Sequence, residues 1–256
     1  MDPYYNRVKP RHLSPVMLDL VLSRGWYRMR QDLFTISHLE EERCYYRVHW
    51  LRYEVNRIEE RATHRRIRRK NKSRRVTIEP LITISEEHRN LHRKYRKWIE
   101  FDGVRSIEEG LFGDEVGTNI FQTWCISVYD QEQLIATGYF DAGSTSVASI
   151  LHFFDPDYGG SSLGKFLIFC TLDWMRAKGY KWYYPGYVVA GKPKMDYKLF
   201  LGESIAEYYE PEGGLWKLFD RQILHEQPIL LWDTDVIDSD ESEATDHSEN
   251  ARTDLI

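Results

Sequence analysis

The chain has 256 residues, of which 42% are hydrophobic and 14% aromatic, enough to build a sizeable apolar core. No apolar run reaches the roughly 18 residues that a membrane-spanning helix needs, and the N-terminal residues contain no apolar signal-peptide stretch. Three widely spaced cysteines exclude a disulfide framework and a four-cysteine metal site. We therefore expect a soluble, cytoplasmic protein with no membrane partner.

Charge is distributed unevenly along the chain, although the net charge is only −5. Residues 1–100 hold 24 Lys or Arg against 13 Asp or Glu, a net charge of +11, whereas the remaining residues carry −16. Part of this acidity lies in residues 233–256, which have few large apolar side chains, so we expect a disordered acidic tail there. A solubilising tail is favoured over a nucleic-acid mimic that shields the basic half.

Positive charge is concentrated in residues 61–75, where nine of the fifteen positions are Lys or Arg. If residues 61–71 are helical, these side chains form one basic face and its flank, which suits a phosphate backbone. A solvated helix face is the alternative, but the near absence of interleaved acids favours RNA or another polyanion. The residues expected to contact it are Arg65, Arg66, Arg68, Arg69 and Lys70.

A second basic helix is predicted over Glu86–Trp98, and its charged face is expected to extend the same surface. Leu91, Tyr95 and Trp98 recur at helical spacing and are expected to form the packing face. The arginines and lysines between them are expected to face outward.

Strand patterns begin near residue 119. Three β-branched and aromatic runs at 121–129, 133–140 and 145–155 are separated by turns and predict an antiparallel meander. A capped helix is predicted over Ser162–Lys178, and Tyr180–Val189 returns as a strand nearly parallel to the third run.

This order of three strands, a helix and a strand resembles the core of the acetyltransferase-like fold called GNAT, in which two central strands part around an acyl group. Pro185 lacks an N–H group and is compatible with such a parting. The predicted class is α+β, a GNAT-like domain with a mixed, mostly antiparallel sheet. We divide the chain into a basic N-terminal region (1–100), this domain (101–232) and the tail (233–256).

Residues 157–166 permit two phosphate-binding interpretations. Gly159, Gly164 and Lys165 fit the start of the nucleotide pattern G-x-x-x-x-G-K, but Phe166 stands where Ser or Thr would hold Mg²⁺. The alternative is a turn whose backbone N–H groups face an anionic donor at a helix N-terminus. Asp157 and Tyr158 replace the Gln or Arg typical of acetyl-CoA enzymes, which disfavours coenzyme A.

Two longer segments carry a more specific resemblance. HFFDPDYGGSSLGKF (152–166) and YYPGYVVAGKPKMDYK (183–198) resemble the C-terminal domain of arginyl-tRNA–protein transferases and bacterial aspartate/glutamate leucyltransferases. Weaker likeness at 22–28 and 62–71 extends the resemblance over about residues 20–200. The matching positions are Phe153, Phe154, Asp155 and Pro156; Ser162, Leu163 and Gly164; Tyr184, Gly186 and Tyr187; and Lys194, Met195, Tyr197 and Lys198.

The chain also departs from the family pattern. The family's N-terminal cysteine pairs, linked in some members to a metal or iron–sulfur cluster, are reduced here to Cys44. Pro185 stands for the usual Leu, and Lys192 stands where Cys is frequent. His38, Cys44 and His49 are potential ligands of one metal, but we expect them to be ordinary surface side chains, with no metal site.

The resemblance implies that the α-amino group of an acceptor protein attacks the ester joining an amino acid to the 3′ end of tRNA. Aminoacyl-tRNA is then the co-substrate, no cofactor is needed, and the acceptor N-terminus is expected to be acidic. Arginine is the default amino acid, leucine the alternative, and the product enters an N-degron pathway. The sequence does not indicate an oligomeric state.

Site roles follow from the same resemblance. The proton acceptors are His152 or Asp155, with Tyr187 and Tyr197 orienting the substrate. The backbone N–H groups of Gly164 and its neighbours are expected to bind the terminal ribose-phosphate or the carbonyl. Lys194 or Lys198 is expected to pair with an acidic side chain of the acceptor or with an RNA phosphate. Core packing is the alternative role for Tyr184 and Phe153. The substrate-binding set is Ser162, Gly164, Tyr184, Gly186, Lys194 and Lys198.

Two other functions remain open. A coenzyme A-dependent N-acyltransferase on the same fold would bind acetyl-CoA and be indifferent to ribonuclease. A catalytically silent RNA-binding protein would bind tRNA with a steep salt dependence and transfer nothing.

Overall fold

The computed structural model describes residues 3–100, 103–113 and 119–231. The predicted acidic tail at 233–256 lies outside the described residues. The elements before residue 114 are β1 (Tyr5–Val8), α1 (Pro15–Ser23), β2 (Tyr27–Met29), β3 (Asp32–Ile36), β4 (His38–Glu41), β5 (Cys44–Glu54), α2 (Ala62–Lys70), β6 (Arg75–Pro80), α3 (Glu86–Trp98) and α4 (Ile107–Phe112). Those after residue 118 are β7 (Thr123–Asp130), β8 (Gln133–Ala142), β9 (Ser146–Phe154), α5 (Leu163–Lys178), β10 (Trp182–Val189), β11 (Ala206–Glu210), β12 (Leu215–Leu218) and β13 (Ile229–Leu230).

One large sheet dominates the described part of the chain. Its strand order is β12-β11-β5-β10-β9-β8-β7-β6, and β4 and β13 also pair with β5. Strand β10 runs parallel to β9, while the other neighbours are antiparallel. The predicted α+β class with a mixed, mostly antiparallel sheet is confirmed. Within the described ranges, no helix is long and apolar enough to cross a membrane.

The predicted order of three strands, a helix and a strand is also present. Strands β7, β8 and β9 form the meander, α5 follows, and β10 returns beside β9. The two predicted basic helices are α2 and α3. The expected capping of α5 by Ser162 is wrong, because this residue has a left-handed φ of 55° and its side chain makes no capping hydrogen bond.

The predicted division at residue 100 does not separate two structural units. Strand β5 comes from the basic N-terminal region, yet it lies between β11 and β10 in the large sheet. Strand β6 closes the other edge by pairing with β7. Residues 1–100 therefore supply a central strand and an edge strand to the sheet that the C-terminal half builds.

Helices cover both faces of this sheet. Helix α5 packs on β7, β8 and β9, and α2 packs on α5 through His64, whose ring lies 5.1 Å from that of Phe169. Helix α3 covers the opposite face, where Leu91 joins a core cluster with Tyr139 and Phe153. A small sheet of order β1-β3-β2, with α1, lies against β5 and β10.

Strands β9 and β10 part halfway along their length. They pair only where Trp182–Tyr184 face Ser146–Ala148. At Pro185 the N–H group needed to continue the ladder is missing, and the pairing of β10 with β5 shifts register between Tyr183 and Gly186. Gly186 has φ 98°, a left-handed conformation that favours glycine. The expected parting of two central strands is therefore present, and it opens a gap in the sheet.

Candidate active site

The gap between β9 and β10 leads into two adjoining cavities. The first, called here the sheet cavity, has a volume of about 330 Å³ and is lined mainly by α3, β9 and β10, with Trp50 contributed by β5. The second, the helix cavity, has a volume of about 780 Å³ and lies at the start of α5. Both are lined by Tyr95, His152, Met195 and Tyr197, which form the boundary between them.

Aromatic rings build one wall of the sheet cavity. Trp50 of β5 stacks on Tyr27 with ring centroids 5.3 Å apart and meets Tyr187 edge to face at 5.0 Å. The Tyr27 hydroxyl lies 2.5 Å from the Ser149 carbonyl oxygen and 2.8 Å from that of Tyr184. Since these carbonyls belong to β9 and β10, Tyr27 satisfies backbone groups at the fork where the two strands part.

Lys198 brings an ammonium group into the lining of the sheet cavity. Its Nζ donates to the Tyr187 carbonyl at 2.7 Å, and it lies 5.1 Å from the centre of the Tyr187 ring. No carboxylate of the described residues lies within ion-pairing distance of this ammonium. Burial away from water lowers the pKa of Lys198 to about 8. At neutral pH a fraction of Lys198 is therefore uncharged and able to accept a proton.

Gly186 lies against this lysine. A Cβ at that position would lie 3.7 Å from Lys198 Cε, in ordinary contact, so its φ of 98° is the stronger demand for glycine. Tyr197, beside Lys198 in the chain, lines both cavities, and its role in orienting substrate stays a prediction. The motif residues Gly186, Tyr187, Tyr197 and Lys198 are thus brought together.

His152 also lines both cavities. Its Nε2 lies 3.2 Å from Ser149 Oγ, and burial lowers the pKa of His152 to about 4. The imidazole is therefore neutral at pH 7 and keeps one nitrogen able to accept a hydrogen bond. His152 therefore lies at the predicted site, and its role as a proton acceptor stays a prediction.

The helix cavity has a positive lining at the start of α5. It is lined by Ser162, Leu163, Gly164 and Lys165, and also by Lys192 and Lys194. The first-turn N–H groups of a helix have no intrahelical acceptors, and Ser162 provides no side-chain cap. Glu41 is the carboxylate in this lining, and it is paired with Lys192 at 2.6 Å.

Two predicted site residues lie outside these cavities. Asp155 is buried, with Oδ1 2.6 Å from Lys94 Nζ and 3.0 Å from the Asp157 N–H nitrogen. Its carboxylate holds α3 against the turn before α5, so its prediction as a proton acceptor is not supported. Tyr184 is 3% exposed and packs edge to face on Trp216, which agrees with its alternative role in the core.

In the basic helix α2, some charged side chains pack against the protein and others are exposed to solvent. Arg68 pairs with Asp173 and Glu60, and its guanidinium lies 4.8 Å from the centre of the Phe169 ring. This half-buried arginine therefore joins α2 to α5. The side chains of Arg65, Arg66, Arg69 and Lys70 are exposed. Lys70 donates to the Gly160 carbonyl at 2.6 Å, which places this end of α2 beside the turn that leads into α5.

The potential metal ligands do not converge. His38 and His49 are buried, so the expectation that they lie on the surface is wrong. Cys44 is the first residue of β5, whereas His49 lies in the middle of that strand. Among the described residues, no group of three side chains is arranged to hold a metal ion.

Sequence reasoning missed two residues of the site. Tyr27 and Trp50 line the sheet cavity, but they belong to the N-terminal half, for which the charge pattern predicts RNA binding. Trp50 lies on β5, a strand buried on both faces in its second half, so it lacks the alternating pattern of a half-exposed strand. Tyr27 lies within residues 22–28, the segment of weaker family likeness, so that likeness was a sequence signal for it.

Known proteins provide an independent comparison. A family model described as "Arginine-tRNA-protein transferase, C terminus" matches residues 87–204, which include α3, the meander, α5, β10 and Lys198. The aspartate/glutamate leucyltransferase of Stenotrophomonas maltophilia (strain R551-3) is 29% identical over 143 residues, covering 53% of this chain and 53% of that protein. The enzyme of the same name from Acinetobacter baylyi is 24% identical over 226 residues, covering 85% and 78%.

The match to the Stenotrophomonas protein therefore spans about half its length. Among solved structures, L-PGS from Bacillus licheniformis aligns with a TM-score of 0.40 at 13% identity, covering 55% of this chain and 48% of that one. Similarity at that level adds nothing about fold or function. The family model and the leucyltransferase relatives agree with the motifs at the parted strands, and residues 87–204 are similar to the C-terminal part of arginine-tRNA–protein transferases.

Proposed function

We propose that this protein is an aminoacyl-tRNA–protein transferase. In this reaction the α-amino nitrogen of an acceptor protein forms a bond to the ester carbonyl carbon, and the bond from that carbon to the tRNA ribose oxygen breaks. The observation that carries the proposal is the gap between β9 and β10, where the family's motif residues Gly186, Tyr187, Tyr197 and Lys198 line one cavity. The reaction would take place in the cytoplasm, where charged tRNA is available.

Leucine is a better donor amino acid than arginine for these cavities. Among the described residues that line them, the one carboxylate is Glu41, and it is already bound to Lys192. A guanidinium entering the sheet cavity would face Lys198 with no counter-charge, which is costly in a buried site. The aromatic wall of Tyr27, Trp50 and Tyr187 suits an apolar side chain. The names of the leucyltransferase relatives support the same choice.

An acidic acceptor fits the positive lining of the helix cavity. The relatives' names specify aspartate and glutamate, and Lys194 lies in the lining where such a carboxylate would enter. The uncapped start of α5 and Lys165 provide separate donors for a phosphate at the 3′ end of tRNA. We assign the acceptor carboxylate to Lys194 and the tRNA phosphate to the start of α5.

The chemistry requires modest help, because the ester is activated and an N-terminal amine has a pKa near 8. Positioning the two substrates supplies several kcal/mol. Lys198 in its neutral form accepts the proton that the nitrogen loses and delivers it to the departing ribose oxygen. His152, neutral at pH 7, accepts a hydrogen bond from the amine and orients it. No nucleophilic side chain and no cofactor are needed for these steps.

Charge reversal at Arg66 and Arg69 tests the role of the basic helix. Both side chains are exposed on α2, whose last turn borders the turn that leads into α5. We expect Arg66→Glu/Arg69→Glu to weaken tRNA binding and to reduce the slope of log affinity against log salt by about one for each phosphate that the protein no longer binds. The control is Lys178→Glu/Lys217→Glu, which changes the net charge equally at other exposed positions. Equal weakening by both pairs would show that only net charge matters.

Transfer is tested with peptides beginning with Asp, Glu or Ala, each offered a panel of charged tRNAs. Addition of one leucine to the acidic peptides, abolished when the tRNA is treated with ribonuclease, is the expected result. Acetylation from acetyl-CoA without transfer from any charged tRNA would identify a coenzyme A-dependent enzyme instead. Salt-sensitive tRNA binding without either reaction would identify a silent RNA-binding protein.

A further inference from the structure

An exposed tryptophan stands beside the helix cavity. The spacing of Trp98 at the end of α3 predicts that it packs inward with Leu91 and Tyr95, but 56% of its surface is exposed. Its ring centroid lies 6.0 Å from that of Tyr95 and 5.8 Å from that of Phe154. Tyr95 and Phe154 are themselves 5.3 Å apart. These three rings, called here the aromatic row, form one continuous cluster with an open face at Trp98.

The aromatic row leads directly into the site. Tyr95 and Phe154 line the helix cavity, whereas Trp98 lies outside its lining. Phe154 also adjoins the start of α5, because a Cβ added to Gly164 would lie 3.6 Å from Phe154 Cε1. An elongated ligand bound at the start of α5 would therefore pass Phe154 and reach Trp98 as it leaves the cavity.

Positive charges near the aromatic row indicate which kind of ligand it would bind. Lys165 and Lys194 lie in the cavity beyond Phe154, and Lys97 is exposed next to Trp98. Open aromatic faces between positive groups suit a chain that alternates flat bases with phosphates, which is a single strand of nucleic acid. An apolar peptide segment would use the rings but would gain nothing from the lysines.

We propose that Trp98, with Phe154 and Tyr95 behind it, is a stacking platform for unpaired bases at the 3′ end of the donor tRNA. The proposal rests on the proposed function and adds where the end of the tRNA runs. A base stacked on Trp98 would leave the following nucleotides to pass Phe154, with a phosphate at the start of α5 and the ester at the parted strands. Stacking of this kind tolerates any base sequence, because every base has an aromatic face.

The test compares Trp98→Ala, Trp98→Phe and Tyr5→Ala, the last removing another exposed aromatic ring, on β1. For Trp98→Ala we expect about a tenfold rise in the KM for charged tRNA and about a tenfold loss of affinity for intact tRNA. The KM for the acceptor peptide should be unchanged. Trp98→Phe should retain most of the affinity, and Tyr5→Ala should match the wild type. Removing the unpaired 3′ nucleotides from the tRNA should abolish the difference between wild type and Trp98→Ala.

The outcomes separate this proposal from the proposed function. If the wild type transfers leucine but Trp98→Ala leaves the KM for charged tRNA unchanged, the stacking platform is wrong and the transferase stands. If Trp98→Ala raises only the KM for the peptide, the aromatic row binds the acceptor and the proposal is overturned. If the wild type transfers nothing, yet Trp98→Ala weakens binding of intact tRNA and not of trimmed tRNA, the platform stands without the transferase.

Discussion

Replacement of Lys198 by methionine is expected to lower kcat by about 10²–10⁴-fold, the range that general acid–base catalysis contributes. Methionine keeps most of the side-chain length but removes the group that accepts the proton of the attacking amine. The measurement is transfer to a peptide with an acidic N-terminus at saturating charged tRNA. Lys217→Met, at an exposed position on β12, is the matched control and should retain wild-type activity.

The same substitution is expected to stabilise the fold at pH 7. Burial lowers the pKa of Lys198 from 10.5 to about 8. The unfolded chain therefore holds this proton more tightly, and keeping Lys198 charged in the fold costs about 3 kcal/mol below pH 8. The cost fades between pH 8 and 10.5 and is absent above that range, where both states are neutral. Urea titrations should show the wild type gaining stability relative to Lys198→Met across this window.

Lys198→Arg separates proton transfer from simple charge pairing. Arginine remains protonated at any accessible pH, so it keeps a positive charge but cannot accept a proton. A fall in kcat in both Lys198→Arg and Lys198→Met, with tRNA affinity retained, would support proton transfer. Near-normal activity of Lys198→Arg would contradict it and would leave Lys198 as a binding group for a carboxylate or phosphate.

The largest expected loss of stability follows from breaking the buried pair of Arg28 and Asp141. Their side chains are 1% and 0% exposed, with Arg28 Nη1 2.8 Å from Asp141 Oδ1. Arg28 also donates to Thr123 Oγ1 at 2.9 Å and to the Leu111 carbonyl at 2.5 Å. Asp141→Leu leaves the guanidinium buried without its counter-charge, so we expect the free energy of unfolding to fall by about 3–5 kcal/mol.

A second variant shows whether the loss of stability in Asp141→Leu comes from the unpaired charge or from altered packing. Arg28→Met/Asp141→Leu removes both charges and should recover most of the stability, as measured by denaturant midpoints. Because Arg28 lies on β2 and Asp141 on β8, this pair connects the N-terminal small sheet to the meander. A decrease below about 1 kcal/mol in Asp141→Leu, or two separate unfolding transitions in the wild type, would contradict the single unit described for these residues.

Much of the C-terminal half was predictable because its patterns are local. The meander has clear turns between β-branched runs, and α5 has apolar residues at helical spacing before Gly179. The fold resemblance implied that two central strands part, and Pro185 was compatible with this because its missing N–H group leaves a ladder bond unformed. The family motifs predicted catalytic or substrate-binding roles for Gly186, Tyr187, Tyr197 and Lys198, which line one cavity.

The missed features depend on partners distant in sequence. Strand β5 carries polar residues whose partners lie far along the chain, such as Arg52, which pairs with Glu207 at 2.7 Å. The sequence indicates a proton acceptor at Asp155, near His152, but Lys94 on α3 binds its carboxylate. Trp98 has the spacing of a core residue, yet its ring lies beside Phe154, the last residue of β9, and 56% of its surface stays exposed. Spacing along one element does not reveal the extent of the surface against which it packs.

The most direct test of a transferase site at the parted strands is the mass of a peptide with an N-terminal Glu after incubation with leucyl-tRNA. The wild type is predicted to give a product heavier by one leucine residue, and Lys198→Met is predicted to form that product about 10²–10⁴-fold more slowly while still binding tRNA. A peptide mass that stays unchanged with every charged tRNA, together with acetylation of the same peptide from acetyl-CoA, would contradict the assignment.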